Sequence, residues 1–491
     1  MPMSFTERGN RRLEDKSRGN ESLIDSMEPR VRQAMAHATF TEGLRSARPT
    51  RFGYELVWVA LGLGMATLGG AVGVRAMTGV LSPATYGELT LVVTLSALAH
   101  QTILGPLGQA FLRYFAPAHE SGRFGAYLRG VWQLTAWAAG IIVTIAFLLV
   151  VLLVAVGRRD WVPLVWGTCF LSLVFGIGSS LDGVQNAARQ QAVVAWHQGI
   201  TPWLRFAGAL GLVVEFGANA GNALMGYVLG SMAVLVSQIL LFWRRILGQH
   251  GRRTVVNDSD VAGFVRQMRV YAWPFASWGI LAWVQMASDR WALQVFHGAR
   301  TVGIYAVLYQ VGYVPMSMLS GLVLQLIVPV VFSRSGDGTD PHRLRSAHTV
   351  NLYGVWGVML VTGFMTLAAL LFRDQILALV AGPAYRVGAV YLPAVVLAGG
   401  LFASGQTASL VLMSGTDTRL LVRPKMVTAI AGVLFNVAGA YWYGLQGVVM
   451  ANVLFGLLYF VWIAVLAWKY RTLGRFSDKR DDHETTFQPL L

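Results

Sequence analysis

Residues 131–156 read VWQLTAWAAGIIVTIAFLLVVLLVAV, with no charged side chain among them. A helix crossing a bilayer core needs about 20 such residues, because in lipid only the helix itself can satisfy its backbone N–H and C=O groups. Working outward from this run, the same reading gives twelve spans in all: 54–74, 87–110, 131–156, 161–181, 201–217, 220–243, 271–295, 303–332, 350–372, 388–411, 424–441 and 444–468. The fifth is the shortest and carries Arg205 and Glu215. Pro106, Pro315 and Pro393 fall inside or near spans, where a missing N–H predicts a kink. Across all 491 residues, 55% are hydrophobic and 13% charged, with a mean hydropathy of +0.53. An ordinary soluble domain carries about 25% charged residues, so that class is excluded.

The chain holds 39 Lys and Arg against 24 Asp and Glu, a net charge of +15. Gathered on one soluble face, this excess would suggest nucleic acid, but it is divided among short loops between apolar runs, so no nucleic-acid partner is expected. With both termini on the cytosolic side, 31 of the 39 fall in inner segments and six in outer loops, which is the asymmetry that sets orientation in a membrane. Residues 1–53 combine ten basic and seven acidic side chains with no apolar core, so they read as a disordered or loosely helical cytosolic extension rather than a cleaved leader. The one cysteine, Cys169, lies in an apolar run and has no partner for an intrachain disulfide.

A shift of 216 residues relates two parts of the chain. Gly87 opens the second span and Gly303 the eighth, Gly105 falls on Gly321, and Tyr54 falls close to Tyr271. Six spans separate the copies, so they share one topology, as in parallel-repeat transporters whose halves rock about a site between them. The predicted fold is therefore all-α: a polytopic membrane protein of about 12 transmembrane helices in two six-helix halves around a central cavity. The expected organisation is an extension over 1–53, a first bundle over 54–243, a basic cytosolic linker over 244–270, a second bundle over 271–468 and a cytosolic tail over 469–491.

The segment Leu81-Ser82-Pro83-Ala84-Thr85-Tyr86-Gly87, with Ala110-Phe111-Leu112-Arg113-Tyr114 ending the following span, resembles the first two spans of bacterial oligosaccharide flippases. Those proteins belong to the multidrug/oligosaccharidyl-lipid/polysaccharide exporter superfamily. Ser288-Asp289-Arg290-Trp291 through Val302-Gly303-Ile304-Tyr305 resembles their seventh and eighth spans, and the likeness covers most of residues 54–470. The resemblance implies a carrier that moves a polyprenyl-pyrophosphate-linked oligosaccharide across the bacterial inner membrane for surface polysaccharide assembly. It also implies a V-shaped cavity lined mainly by spans 1, 2, 7 and 8. The expected partners are that lipid-linked substrate, membrane lipids, and a polysaccharide polymerase or glycosyltransferase of the same pathway.

Polar residues inside apolar runs are costly, and by default they face a cavity or a partner. His100 and Gln101 lie near the midpoint of the second span, and Thr90, Thr94 and Gln101 form one helical stripe. That stripe either lines water or bonds to neighbouring helices. Gln285 and Asp289 share a face of the seventh span, with Arg290 about 100° around it. Asp289 reads as the only acid well inside a span, either an ion-coupling site or the partner of a nearby cation. Arg75 and Arg290 lie toward outer ends and Arg113 toward an inner end, where planar guanidinium groups suit a pyrophosphate headgroup. The bland alternative is that Arg113 only sets orientation and Arg75 snorkels to lipid headgroups. The eighth span adds Tyr309, Gln310 and Gln325, whose ring and amides suit a sugar. The candidate substrate-binding set is thus Arg75, His100, Gln101, Arg113, Gln285, Arg290, Tyr309, Gln310 and Gln325, with Asp289 for ion coupling.

There is no GxxxxGK[ST] phosphate loop, HExxH or paired-Cys pattern, and the short outer loops leave no room for a catalytic domain. Neither a metal nor another cofactor is expected, and the chain does not read as an enzyme. Two rival functions stand beside the flippase: a small-molecule exporter of the same superfamily, and a non-transporting polymerase or scaffold of a polysaccharide pathway.

Overall fold

The computed structural model describes residues 49–247, 257–335, 341–414 and 419–473, and all regular structure within them is helical. Nearly all of the 1–53 extension, residues 248–256 of the linker and the tail after Leu473 lie outside the described residues. Contacts divide the chain into two compact units, Met1–Trp58 and Val59–Leu491, and the second carries the membrane fold.

Six helices come first: α1 (Pro49–Val80), α2 (Pro83–Glu120), α3 (Phe124–Ala155), α4 (Val162–Ala187), α5 (Gln191–Phe216) and α6 (Ala220–Phe242, prolonged by Trp243–Leu247). Six more follow: α7 (258–297), α8 (299–335), α9 (Pro341–Val380), α10 (392–414), α11 (419–443) and α12 (445–473). Among the described residues, nine continuous helical stretches are long and apolar enough to cross a membrane. Two of them double back on themselves, at Gly298 (φ 76°) and Gly444 (φ 58°), and an L side chain would strain both turns. Tyr305 reaches back to Asp289 across the first turn, and the backbones of Gly439 and Gly447 touch across the second.

The twelfth span is α5, which is too polar to count among the nine, yet packs along α6 and, from Ala195 to Phe206, against α1. Gly62 meets Ala195, Gly69 meets Trp203, Gly73 meets Phe206 and Gly226 meets Ala209. These glycines bring the backbones close enough for dispersion contacts to hold the helices, which matters where lipid offers no hydrophobic driving force.

The 216-residue shift has a physical counterpart. A Cβ on Gly87 would strike the Ala299 carbonyl and the Gly303 nitrogen, and a Cβ on Gly303 would strike the Pro83 carbonyl and the Gly87 nitrogen. Pro83 and Ala299 are themselves 216 apart, so the contact is reciprocal, as two-fold related copies require. The kinks expected at Pro106 and Pro315 take the same form, although the two prolines lie 209 residues apart and so are offset from the 216-residue register. A widened turn, His100–Leu104 in α2 and Tyr309–Tyr313 in α8, precedes each proline, closed by Gly105 N–H to His100 O and Val314 N–H to Tyr309 O. Such π turns absorb a disturbed backbone register and are frequent at functional sites.

The halves are sealed on the face where α1 turns into α2. There Arg75 Nη1 donates to Ala381 O (2.7 Å), Gly382 N–H to Thr78 Oγ1 (2.9 Å) and Tyr385 OH to Leu81 O (2.9 Å), while Tyr86 meets Tyr385 edge to face. Toward the opposite face, from which α7 starts, α1 and α8 still touch where Thr67 Oγ1 meets Met318 Sδ (3.0 Å). Beyond that point Gly64 and Gly321 each face open space. The start of α7 packs on the first half: Phe264 meets Tyr127 edge to face, and Arg123 and Arg129 pair with Asp260 and Asp258.

Candidate functional site

Two polar cavities lie beside the two π turns, one within each half. The second-half cavity, of about 360 Å³, lies among α7, α8, α10, α11 and α12. Six aromatic side chains line it: Trp278, Tyr309, Tyr313, Phe402, Phe455 and Tyr459. Between them stand the amides of Gln285, Gln406 and Asn452, the hydroxyls of Ser317 and Thr428, and Lys425. Tyr309 stacks on Tyr313 with centroids 4.6 Å apart, and Tyr459 OH donates to Gln406 Oε1 (2.9 Å).

Behind this wall a polar network fixes the α7–α8 hairpin, with Arg290 Nε its one buried atom left without a partner. Asp289 Oδ1 accepts from the Arg290 backbone N–H (2.6 Å) and from Arg290 Nη1 (3.3 Å), and Asp289 Oδ2 accepts from Tyr305 OH (2.5 Å). Asn452 Nδ2 donates to Tyr305 OH (3.1 Å), and Asn436 Nδ2 donates to Ser288 Oγ (2.9 Å), which ties α11 and α12 to the hairpin. The Arg290 guanidinium also lies 4.1 Å from the centre of the Tyr309 ring. At such sites an ion pair offsets its desolvation only when further hydrogen bonds complete it, and here the additional donors are present.

The first-half cavity is larger, about 540 Å³, and lies among α2, α4, α5 and α6. It is lined by His100, Gln109, Asp182, Asn186, His197, Gln198, Thr201, Arg205, Ser231 and Gln238, among others. Asp182 Oδ1 accepts from Gln238 Nε2 (2.6 Å), which also reaches Gln185 Oε1 (3.1 Å). His197 Nδ1 lies 2.7 Å from Val193 O, and its Nε2 lies 3.3 Å from Ser237 Oγ. The Arg205 guanidinium sits 4.4 Å from the Phe175 ring centre and 5.2 Å from that of Tyr227.

The sequence-predicted residues do not converge on one site. Gln285, Asp289 and Tyr309 line the second cavity, with Arg290 directly behind it. His100 lines the first cavity, while Gln101, about 100° further round α2, turns to Met286 Sδ (3.5 Å). Gln310 likewise turns away from the second cavity, toward Gly70 of α1. Arg75 is built into the seal, and Arg113 and Gln325 are exposed. The Thr90–Thr94–Gln101 stripe is a helix contact: Trp283 Nε1 donates to Thr94 O (2.6 Å) and Trp291 Nε1 to Thr94 Oγ1 (3.0 Å).

One expectation is corrected outright. Asp289 is not the only acid within a span, because α4 does not stop at 181 but runs on to Ala187, and Asp182 is inside it. The helix ends only where Arg189 takes a positive φ of 56°. Asp182 was therefore missed through a boundary drawn too early, and Arg205 through being read as a blemish in a weak span. A signal for both was present: Asp182, Gln185 and Asn186 share one helical face, as do His197, Thr201 and Arg205.

No protein-family model matches the chain, and no curated protein matches it by sequence. Solved structures do match its fold. An inward-facing multidrug resistance MATE family transporter of the MOP superfamily aligns with a TM-score of 0.65 and 13% identity over 84% of this chain and 98% of that one. An outward-facing MATE transporter of the same superfamily aligns with a TM-score of 0.60 and 12% identity over 86% and 95%. The lipid II flippase MurJ, in an inward closed conformation, aligns with a TM-score of 0.56 and 14% identity over 88% and 94%. The fold of this chain is thus that of MOP superfamily transporters.

Proposed function

We propose that this chain is an alternating-access carrier that moves a polyprenyl-pyrophosphate-linked oligosaccharide from the cytosolic to the outer leaflet of a bacterial inner membrane. The face from which α7 starts is then cytosolic, as the excess of basic residues on that side supports. The observation that carries the reading is the composition of the second-half cavity. Its six aromatic faces alternate with amides and hydroxyls, a match for the apolar faces and polar edges of a sugar, and its one acid is already neutralised by Arg290. Of the two readings of Asp289, pairing is the better supported, since both carboxylate oxygens are taken. Gln285 and Tyr309 contact the glycan directly, while Arg290 holds Tyr309 in place through its ring. Polymerases and glycosyltransferases of the pathway remain the proposed partners.

Export of small amphipathic molecules is the second reading, favoured by the MATE neighbours. The two separate in proteoliposomes: the flippase reading expects purified protein to move a fluorescent polyprenyl-pyrophosphate sugar, with Tyr309→Ala and Tyr459→Ala each slowing it about two- to tenfold, as loss of one stacking contact predicts. Efflux of a cationic dye without movement of the sugar lipid would install the exporter in its place. Movement of neither would point to a non-transporting member of a polysaccharide pathway.

A further inference from the structure

The first-half cavity holds a cation, Arg205, that makes no direct ion pair with any described carboxylate. It lies within α5. Its Nε is shut off from solvent without a hydrogen-bond partner. The only cavity acid, Asp182, is engaged by Gln238 instead. Phe175 and Tyr227 hold the guanidinium face by cation–π contact, which fixes the plane of the group and leaves its N–H edge free to bind. His100 and Ser231 also line the cavity, and His100 Nδ1 and Ser231 Oγ are buried without partners. A cavity-lining guanidinium held by two rings and paired with no carboxylate suits a ligand that brings negative charge and several acceptor oxygens.

We propose that the first-half cavity is a binding site for a phosphate or pyrophosphate group, with Arg205 as its principal ligand. A planar guanidinium presents parallel N–H donors at the spacing of two phosphate oxygens, and Ser231 lines the same cavity with a hydroxyl that has no partner of its own. The existence of the site is independent of the flippase reading. Its assignment to the pyrophosphate of the cargo rests on that reading, and would divide the work between the halves: aromatic walls for the sugar in one, an arginine for the anion in the other.

The test uses full-length protein in nanodiscs of neutral phosphatidylcholine, titrated with inorganic pyrophosphate in a calorimeter. Saturable one-to-one binding is expected, at least about tenfold weaker in Arg205→Gln, partly restored in Arg205→Lys, and unchanged when the exposed Arg159 becomes Gln. Absence of saturable binding to the wild-type protein, or equal affinity in Arg205→Gln, would overturn the site. Should Arg205→Gln not yield monodisperse protein, maleimide labelling at Ser179→Cys in a Cys169→Ser background keeps Arg205 intact; pyrophosphate must slow it, and unslowed labelling overturns the site equally. Competition by polyprenyl pyrophosphate in the nanodisc would assign the site to the lipid headgroup, and its absence would assign it to a free anion; both presuppose the site. Pyrophosphate binding without sugar-lipid movement would sink the cargo reading alone.

Discussion

The two halves share a backbone plan and disagree about charge. Each has a π turn ahead of a proline, and each π turn borders a cavity, although the two turns are 209 residues apart while the touching glycines are 216 apart. Within the second half, Arg290 is locked to Asp289 and stacked on Tyr309. Within the first, Arg205 has aromatic faces but no carboxylate, and Asp182 is held by an amide. Duplication therefore preserved the positions where backbones touch and left the cavity walls free to diverge. A completed ion pair in a low-dielectric interior fixes structure, whereas an uncompensated one is a vacancy for an ion.

The largest expected effect tests that contrast directly. Asp289→Asn leaves Arg290 buried without its counter-charge, and breaking such a pair costs about 3–5 kcal/mol. The loss should be read in thermal unfolding of the detergent-solubilised protein and should be largely recovered in the double variant Asp289→Asn, Arg290→Gln. Arg205→Gln should instead lie within about 1 kcal/mol of wild type, since it removes a charge that was never paired. If Arg205→Gln proved as costly as Asp289→Asn, the distinction between a structural and a vacant charge would collapse.

Next in size come the contacts that the halves share. Gly87→Val and Gly303→Val both drive a side chain into a carbonyl of the other copy, and overpacking of this kind costs about 1–3 kcal/mol. Reciprocity predicts equal costs, together with equal increases in the labelling of a cysteine placed at the sealed face. A large difference between them would place the two-fold axis elsewhere. Tyr305→Phe removes a hydroxyl that joins Asp289 to Asn452, and should cost about 1–3 kcal/mol with no counterpart in the first half.

Much of this architecture is legible in the sequence, because span length and loop charge are set by the bilayer rather than by tertiary detail. The run at 131–156 and the pair Gly87 and Gly303 lead to twelve spans and a repeat. Even the weak fifth span is a helix, held by glycine contacts with α1 and α6 that no hydropathy window can register. The site was legible only in part. Gln285, Asp289 and Tyr309 were found because polar residues in an apolar run stand out, but whether each faces a cavity depends on its direction around the helix. His100 and Gln101 are adjacent in sequence and face different neighbours. Arg205 and Asp182 were passed over because a length rule treats a charge as the edge of a span, when a charge inside a helix is the stronger pointer to function.

The smallest expected effect bears on where the cargo binds. Gln325 is exposed, on the stretch of α8 that follows Gly321 and has parted from α1. Gln325→Ala should therefore change stability by no more than about 0.5 kcal/mol, in line with surface positions that make no special contact. If the sugar and its anion are held in the two cavities, transport of the sugar lipid in proteoliposomes should also stay within about twofold of wild type, a change worth under about 0.5 kcal/mol in the barrier. A drop of tenfold or more at unaltered stability would move recognition out of the halves and into the gap between α1 and α8. The aromatic wall and Arg205 would then be stages on either side of the path rather than its binding sites.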